Sequence, residues 1–200
     1  MKALFLACLS LLSLSAMASN FNCGEEKWVN SPGVSDGVFT GKLAADCMIT
    51  TSGAGSIQQL KNYYEDEALR GAHIVHSGPV ADSSLGGAGL KYDLTVKSAE
   101  GLMRSIVRMT SDEKTKFYYV AESKEIKFSG MSEYLQKLDI EIKVQKLSET
   151  SFKLTLINLT KVRKPGLAPV GLFDSIAQKN SKKEFRKNLL ILAKDISSNL

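Results

Sequence analysis

Histidine is almost absent from this chain: two residues in 200, His73 and His76. Three apart on a strand, they point to opposite faces and cannot grip a metal together, and no third ligand accompanies them. No metal and no cofactor is therefore expected. A histidine-based triad would need one of these two plus an acid and a nucleophile from elsewhere. The stretch "GVSDG" (residues 33–37) matches the GxSxG pattern. A nucleophile elbow, however, needs a strand before it and a helix after it. Here irregular chain precedes and a strand follows, so the stretch reads as a turn. "GPVADSSLGGAG" (78–89) lacks the Gly-Lys-Ser/Thr ending of a phosphate-cradling loop and reads as a flexible connection. Glu65, Asp66 and Glu67 are adjacent on a helix, where neighbouring side chains diverge, so they read as a solvated face rather than an acid–base pair.

Long apolar runs are equally scarce. The one at the start, "ALFLACLSLLSLSAM" after Lys2, ends in "AMA" (16–18). A positive start, an apolar run and small residues before a cleavage point make the three-part pattern of a secretory signal peptide, cut after Ala18. The run is too short to span about 30 Å of hydrocarbon, and polar Ser19, Asn20 and Asn22 follow at once. "LFLAC", ending at Cys8, has a loose likeness to a lipoprotein box but leaves no apolar core before it. An exported, periplasmic or extracellular chain is expected, which argues against a nucleic-acid partner. Beyond the leader nothing approaches about 18 consecutive apolar residues.

Cysteine is rare as well. Three become two when the leader is removed, Cys23 and Cys47. In an oxidising compartment a lone pair most simply forms one disulfide, here stapling the N-terminal segment to the first strand. The alternative is two separate thiols, with Cys47 buried beside Met48 and Ile49.

What is present is charge, unevenly placed. The chain has 26 Lys/Arg and 21 Asp/Glu, a net of +5. Residues 161–200 alone hold nine Lys/Arg and three Asp/Glu. That basic end suits an anionic envelope surface, although a soluble helix showing lysines to water is the plainer reading.

Residues 19–37 show no periodicity and read as an irregular arm. Residues 38–50 alternate as a first strand. Ser56 then starts a helix with Ile57, Leu60, Tyr64 and Ala68 on one face, stopped by Gly71. From residue 72 to 165 the period is two. Strands are expected at 72–80 (interrupted by Pro79), 90–98, 101–110, 115–123, 139–147 and 151–165. "KEIKFSG" either extends or kinks the fourth of these, and "MSEYLQKL" shows no pattern. Around 101–110 the parity puts Met103, Ser105, Val107 and Met109 inward and Arg104 and Arg108 outward. In the last strand the apolar parity changes at Leu156–Ile157, the mark of a bulge or bend. The chain then turns helical to its end. Asn180-Ser181 interrupts the stripe, and Ser181 with Glu184 resembles a capping box, so one long kinked helix or two helices fit. No repeat or coiled coil is visible. A leader (1–18), an arm (19–37) and one domain (38–200) are expected, as a monomer.

Seven strands joined by short turns make an antiparallel sheet whose apolar face needs a cover. The stripe Phe185, Leu189, Leu192 and Ile196 supplies one. The order strand, helix, six antiparallel strands and long C-terminal helix resembles the START-like (SRPBCC, helix-grip) superfamily. "KPGLAPVGLFDSIAQKNSKKEFRKNLLILAKDI" (164–196) is similar to that family's turn into its gripped helix, and "DIEIKVQKLSETSFKLTLINLTKVRKP" (139–165) to the hairpin before it. The single helix after the first strand departs from the pair usual there, as do the leader and arm.

The resemblance implies an α+β fold, a curved antiparallel sheet of about seven strands gripping a long C-terminal helix. It also implies a cavity for a lipid or other hydrophobic small molecule between sheet and helix. The inward positions nominated to line it are Tyr92, Leu94, Met103, Val107, Tyr119, Ile142, Phe173 and Ile176. The favoured function is an exported binder of such a ligand. The alternatives are an envelope interaction protein using the fold as scaffold, and a cyclase- or aromatase-like enzyme. The enzyme would need polar groups converging in the cavity, for which the strands offer few.

Overall fold

A computed structural model of the chain describes residues 20–71, 73–74, 80–81, 89–98, 101–129 and 133–200. The leader (1–18), His76, Pro79 and the glycine-rich part of the loop before residue 89 lie outside them.

The strand that organises the molecule is β4 (Val38–Thr50), in which Phe39, Leu43, Ala45, Cys47 and Ile49 alternate inward and are buried. Both of its edges are paired. On one side runs β11 (Ser151–Arg163), antiparallel and in unbroken register from Ser151 opposite Thr50 to Arg163 opposite Val38. On the other side lie three short strands, β1 (Asn20–Cys23), β2 (Lys27–Trp28) and β3 (Gly33–Ser35). About half of the described part of the stretch without sequence periodicity is thus strand. Strands of two to four residues are too short to show a period, and they form because β4 presents an open edge. Asp36 and Gly37, both at positive φ, make the tight turn from β3 into β4.

The remaining strands are β5 (His73–Ile74), β6 (Val80–Ala81), β7 (Gly89–Ser98), β8 (Gly101–Ser111), β9 (Lys116–Phe128) and β10 (Leu135–Lys146). Among the described residues one antiparallel sheet runs β1-β4-β11-β10-β9-β8-β7-β5, with β2 and β3 on β4 and β6 on β7. Among the described residues the seven expected strands become eleven, because the N-terminal arm adds three and the strand expected over 72–80 is represented by both β5 and β6. "KEIKF" extends β9, with one register shift against β8 between Arg104 and Ser105.

The parity change in β11 is not a bulge. Register with β4 is continuous there, and the one shift against β10 lies further on, between Leu135 and Lys137. Backbone alternation simply continues: Phe152, Leu154 and Leu156 point inward, and so does Asn158, at 7% exposure. The sequence pattern broke because a polar residue occupies an inward position, not because the strand bends.

Among the described residues two helices cover the inward face. Helix α1 (Ile57–Gly71) begins where Ser56 Oγ accepts the backbone N–H of Gln59, a capping bond of 3.2 Å. Its Ile57, Leu60 and Tyr64 are buried in the core. Helix α2 (Val170–Asn199) is one uninterrupted helix through Asn180 and Ser181. At about 1.5 Å per residue it spans about 45 Å, long enough to cross several strands. Its stripe runs Phe173, Ala177, Ser181, Phe185, Leu189, Leu192 and Ile196, at helical spacing. Phe185, Leu189, Leu192 and Ile196 join the main core with Phe152, Leu154 and Phe117. Each such burial contributes about 2 kcal/mol. Lys179, Lys183, Lys187 and Lys194 face outward. No helix among the described residues is long and apolar enough to cross a membrane.

Cys23 and Cys47 face each other across β1 and β4 and are joined in a disulfide. Arg186 of α2 donates to the backbone carbonyls of Gly24 and Cys23, fixing the N-terminal arm to the last helix.

Candidate functional site

The space between sheet and helices divides into a filled part and an open part. Over β8–β10 it is filled. Tyr64 of α1 stacks on Phe117 and Tyr119, with ring centroids 5.3 and 5.6 Å apart. The Tyr63 hydroxyl donates to Asp195 Oδ1 at 2.9 Å, and the Tyr64 hydroxyl to Oδ2 at 3.4 Å. Burial, reinforced by the negative charge of Asp195, pushes the Tyr64 phenol well above its ordinary pKa. This buried acid–phenol network is linked across α1 and α2 and closes that end of the fold.

Under the N-terminal half of α2 the packing opens into a cleft of about 330 Å³. Its floor is the far end of β11: Asn158, Thr160 and Val162. One wall comes from β9 and β10, with Phe128, Leu135 and Leu138. The other is α2 itself, through Phe173, Ala177 and Phe185 and a polar row of Asn180, Ser181, Glu184 and Asn188. The row follows from spacing: Asn180, Glu184 and Asn188 are four apart and share a face, and Ser181 sits in the apolar stripe between Ala177 and Phe185. The interruption read in the sequence at Asn180-Ser181 is therefore where the helix borders the cleft, and no capping box forms there.

Two anchors hold this half of the helix off the sheet. Phe39 packs against Phe173 and Ala177, with Trp28 against Phe39 in an edge-on arrangement (6.3 Å, 74°). A Cβ on Gly41 would come within 2.6 Å of the Trp28 ring, so that glycine makes room for the indole. The connection into α2 is braced by Lys164, whose Nζ donates to the carbonyls of Pro165, Gly166 and Ala168 at 3.2, 2.8 and 2.8 Å. Pro165 and Ala168 line the cleft mouth. Leu172 (59% exposed) and Ile176 (49%) stand at that mouth, while Phe185, Asn188 and Asn158 close the inner end.

Of the nominated lining residues, Phe173 and Ile176 border this cleft. Leu94, Val107 and Ile142 are packed in the main core, Met103 is buried, and Tyr119 is engaged with Tyr64. The side chain of Tyr92 lies outside the described ones. The space these residues were expected to line, over the middle strands, is occupied by α1. The inward polar residues Asn158, Thr160 and Asn188 were not nominated. Their signal was available as polar residues on the inward parity of β11 and at i+4 steps on α2. Arg104 and Arg108 do face outward, paired with Asp93 and, at 3.1 Å, with Glu122. Among the described residues no cluster of three metal-ligating side chains occurs.

No family model matches the chain, and no curated protein matches it in sequence. Solved structures are similar to it in fold. The Zhui aromatase/cyclase from Streptomyces sp. R1128 is 11% identical, over 80% of this chain and 92% of that one, with a TM-score of 0.46. Human STARD10 is 11% identical over 86% and 72%, TM-score 0.40. Human StAR-related lipid transfer protein 5 is 10% identical over 87% and 85%, TM-score 0.37. The fold follows from the chain's own topology: among the described residues an open antiparallel sheet, one helix after its first long strand, and a 30-residue C-terminal helix across the inward face make an α+β helix-grip fold.

Proposed function

We propose that this protein is an exported binding protein for a lipid or other hydrophobic small molecule, held in the cleft between β11 and the N-terminal half of α2. The observation that carries the reading is the cleft itself: about 330 Å³, mostly apolar in its lining, with a few polar groups. That is the usual make-up of a small-molecule site, in which apolar area supplies affinity and a few polar groups orientation. Export to the periplasm or beyond is supported by the leader-like first 18 residues and by the Cys23–Cys47 disulfide, a bond that persists in oxidising compartments. A second reading, docking to an anionic envelope surface, draws on the exposed Leu167, Val170 and Leu172 beside the outward lysines of α2.

The test is extraction of the protein purified from its native compartment, followed by mass spectrometry. A hydrophobic molecule at near one per chain is expected. An empty extract, together with no binding of a neutral apolar fluorophore such as N-phenyl-1-naphthylamine, would remove the first reading. Salt-sensitive pelleting with anionic vesicles under those conditions would favour the second.

A further inference from the structure

The inner end of the cleft is polar but uncharged. Asn158 reaches it from β11 and Asn188 from α2, at 7% and 5% exposure. Asn158 Oδ1 accepts the Thr160 hydroxyl at 2.8 Å, while its amide N–H groups have no partner among the described residues. The Asn188 carboxamide has none on either atom among those residues, although its backbone is buried in the helix. Neither carboxamide is among the unpartnered polar atoms closed off from solvent, so the free amide atoms of both open onto the cleft. Set on opposing walls of one cavity, they are polar groups that a molecule reaching the inner end would meet.

Charge decides what that is. The ionisable groups of the described lining are Tyr134, Arg163 and Glu184. Arg163 is exposed, and Glu184 shares a helix face with Asn188 one turn away. Among the described lining residues no lysine, arginine or histidine lies at the inner end to meet a carboxylate or phosphate, and Glu184 disfavours one. Arg163 disfavours a cation in the same way. A carboxamide both donates and accepts, so the pair fits a hydroxyl or carbonyl oxygen.

We propose that Asn158 and Asn188 form a polar subsite that takes one uncharged hydroxyl or carbonyl of an otherwise apolar ligand, so the cleft prefers neutral amphiphiles to fatty carboxylates. The proposal rests on the ligand-binding reading above and deepens it.

The test is displacement of N-phenyl-1-naphthylamine from the full chain at pH 7.5 by 1-dodecanol, 2-dodecanone, dodecanoate and dodecane. The alcohol and ketone are expected to compete at concentrations at least about tenfold lower than dodecanoate or dodecane, the worth of one good hydrogen bond. Asn188→Leu and Asn158→Leu should each erase that preference while dodecane competes as well as before or better. Thermal melting gives a second readout without ligand: Asn188→Leu should melt no lower than the parent, since it removes an unpartnered amide. Equal competition by dodecanol and dodecanoate, or a preference that survives both substitutions together, overturns the subsite and leaves the binding reading standing. A fluorophore that never binds the parent overturns the binding reading and the subsite with it.

Discussion

The Tyr63 hydroxyl donates a 2.9 Å hydrogen bond to the Asp195 carboxylate, joining α1 to α2 across 132 residues of chain. Both helices lie on the same face of the sheet, and this bond and the one from Tyr64 to Asp195 tie them together. Tyr63→Phe keeps the ring and removes the donor. It should cost about 1.5–3 kcal/mol, the range for a hydrogen bond to a charged group. Urea unfolding checks it, and an unchanged midpoint would show that this bond adds nothing to the ring packing and the Tyr64–Asp195 bond.

Tyr64, beside it, sets an alkaline limit. Its phenol is held above the ordinary value of 10.0, chiefly by burial and then by Asp195. A raised folded-state pKa means the neutral phenol contributes its stability in full below pH 10. Above that the unfolded chain ionises first, and the contribution drains away as pH climbs. The melting temperature should therefore fall from pH 10 upward, and Tyr64→Phe should flatten that fall. Parallel curves for parent and variant would remove Tyr64 from the account.

Asp112 sets an acid one. Slight burial pushes its carboxyl up, but the Thr115 hydroxyl and the backbone N–H groups of Thr115, Lys116 and Lys114 outweigh that and hold it at about 2. A lowered folded-state pKa means the carboxylate stabilises the β8–β9 turn above pH 3.8, and this is lost as pH falls toward 2. Solvent screening at this exposed turn limits the effect to about 1 kcal/mol. Asp112→Asn should make unfolding midpoints less steep between pH 4 and 2, while the parent loses stability across that window.

The disulfide closes a loop of 24 residues. In the chain-entropy picture such a closure contributes roughly 3 kcal/mol. Cys23→Ala with Cys47→Ala should lower the urea midpoint accordingly, and reduced parent protein should match the double variant. A shift confined to the fluorescence of Trp28 would mean that only the N-terminal strands loosen.

Asn180 is exposed at the cleft and packs in no core. Asn180→Trp places an indole across the opening. Binding of an apolar fluorophore should weaken about tenfold or more, while the melting temperature stays within about 2 °C, as expected for a surface substitution. Unchanged affinity would place the bound molecule elsewhere.

Much of this fold is legible in the chain. Strict alternation in Leu90–Ser98, Gly101–Thr110 and Ser151–Leu156 marks strands because side chains on a pleat have period two. Phe185, Leu189, Leu192 and Ile196 mark a helix because four residues make just over one turn. Ser56 marks its helix start because a side-chain oxygen there meets an otherwise orphaned N–H. Local chemistry sets these features, so neighbours in sequence carry the signal. The strands before residue 36 carry none: at two to four residues they have no period, and their reason to exist is the open edge of β4.

The site divides in the same way. Residue types and spacing alone determined that an apolar sheet face would be covered by the last helix, with lysines outward and Phe173 inward. Tertiary packing decided where space was left. Tyr64 fills the region over the middle strands, because α1 docks there and its ring finds Phe117 and Tyr119. Phe39 and Trp28 prop the start of α2, and the cleft lies between these two contacts. Asn158 and Asn188, 30 residues apart, look in sequence like a flaw in a strand and an ordinary helix polar residue. They become one feature only when β11 and α2 are laid face to face, because no local rule relates the register of a strand to the rotation of a helix above it.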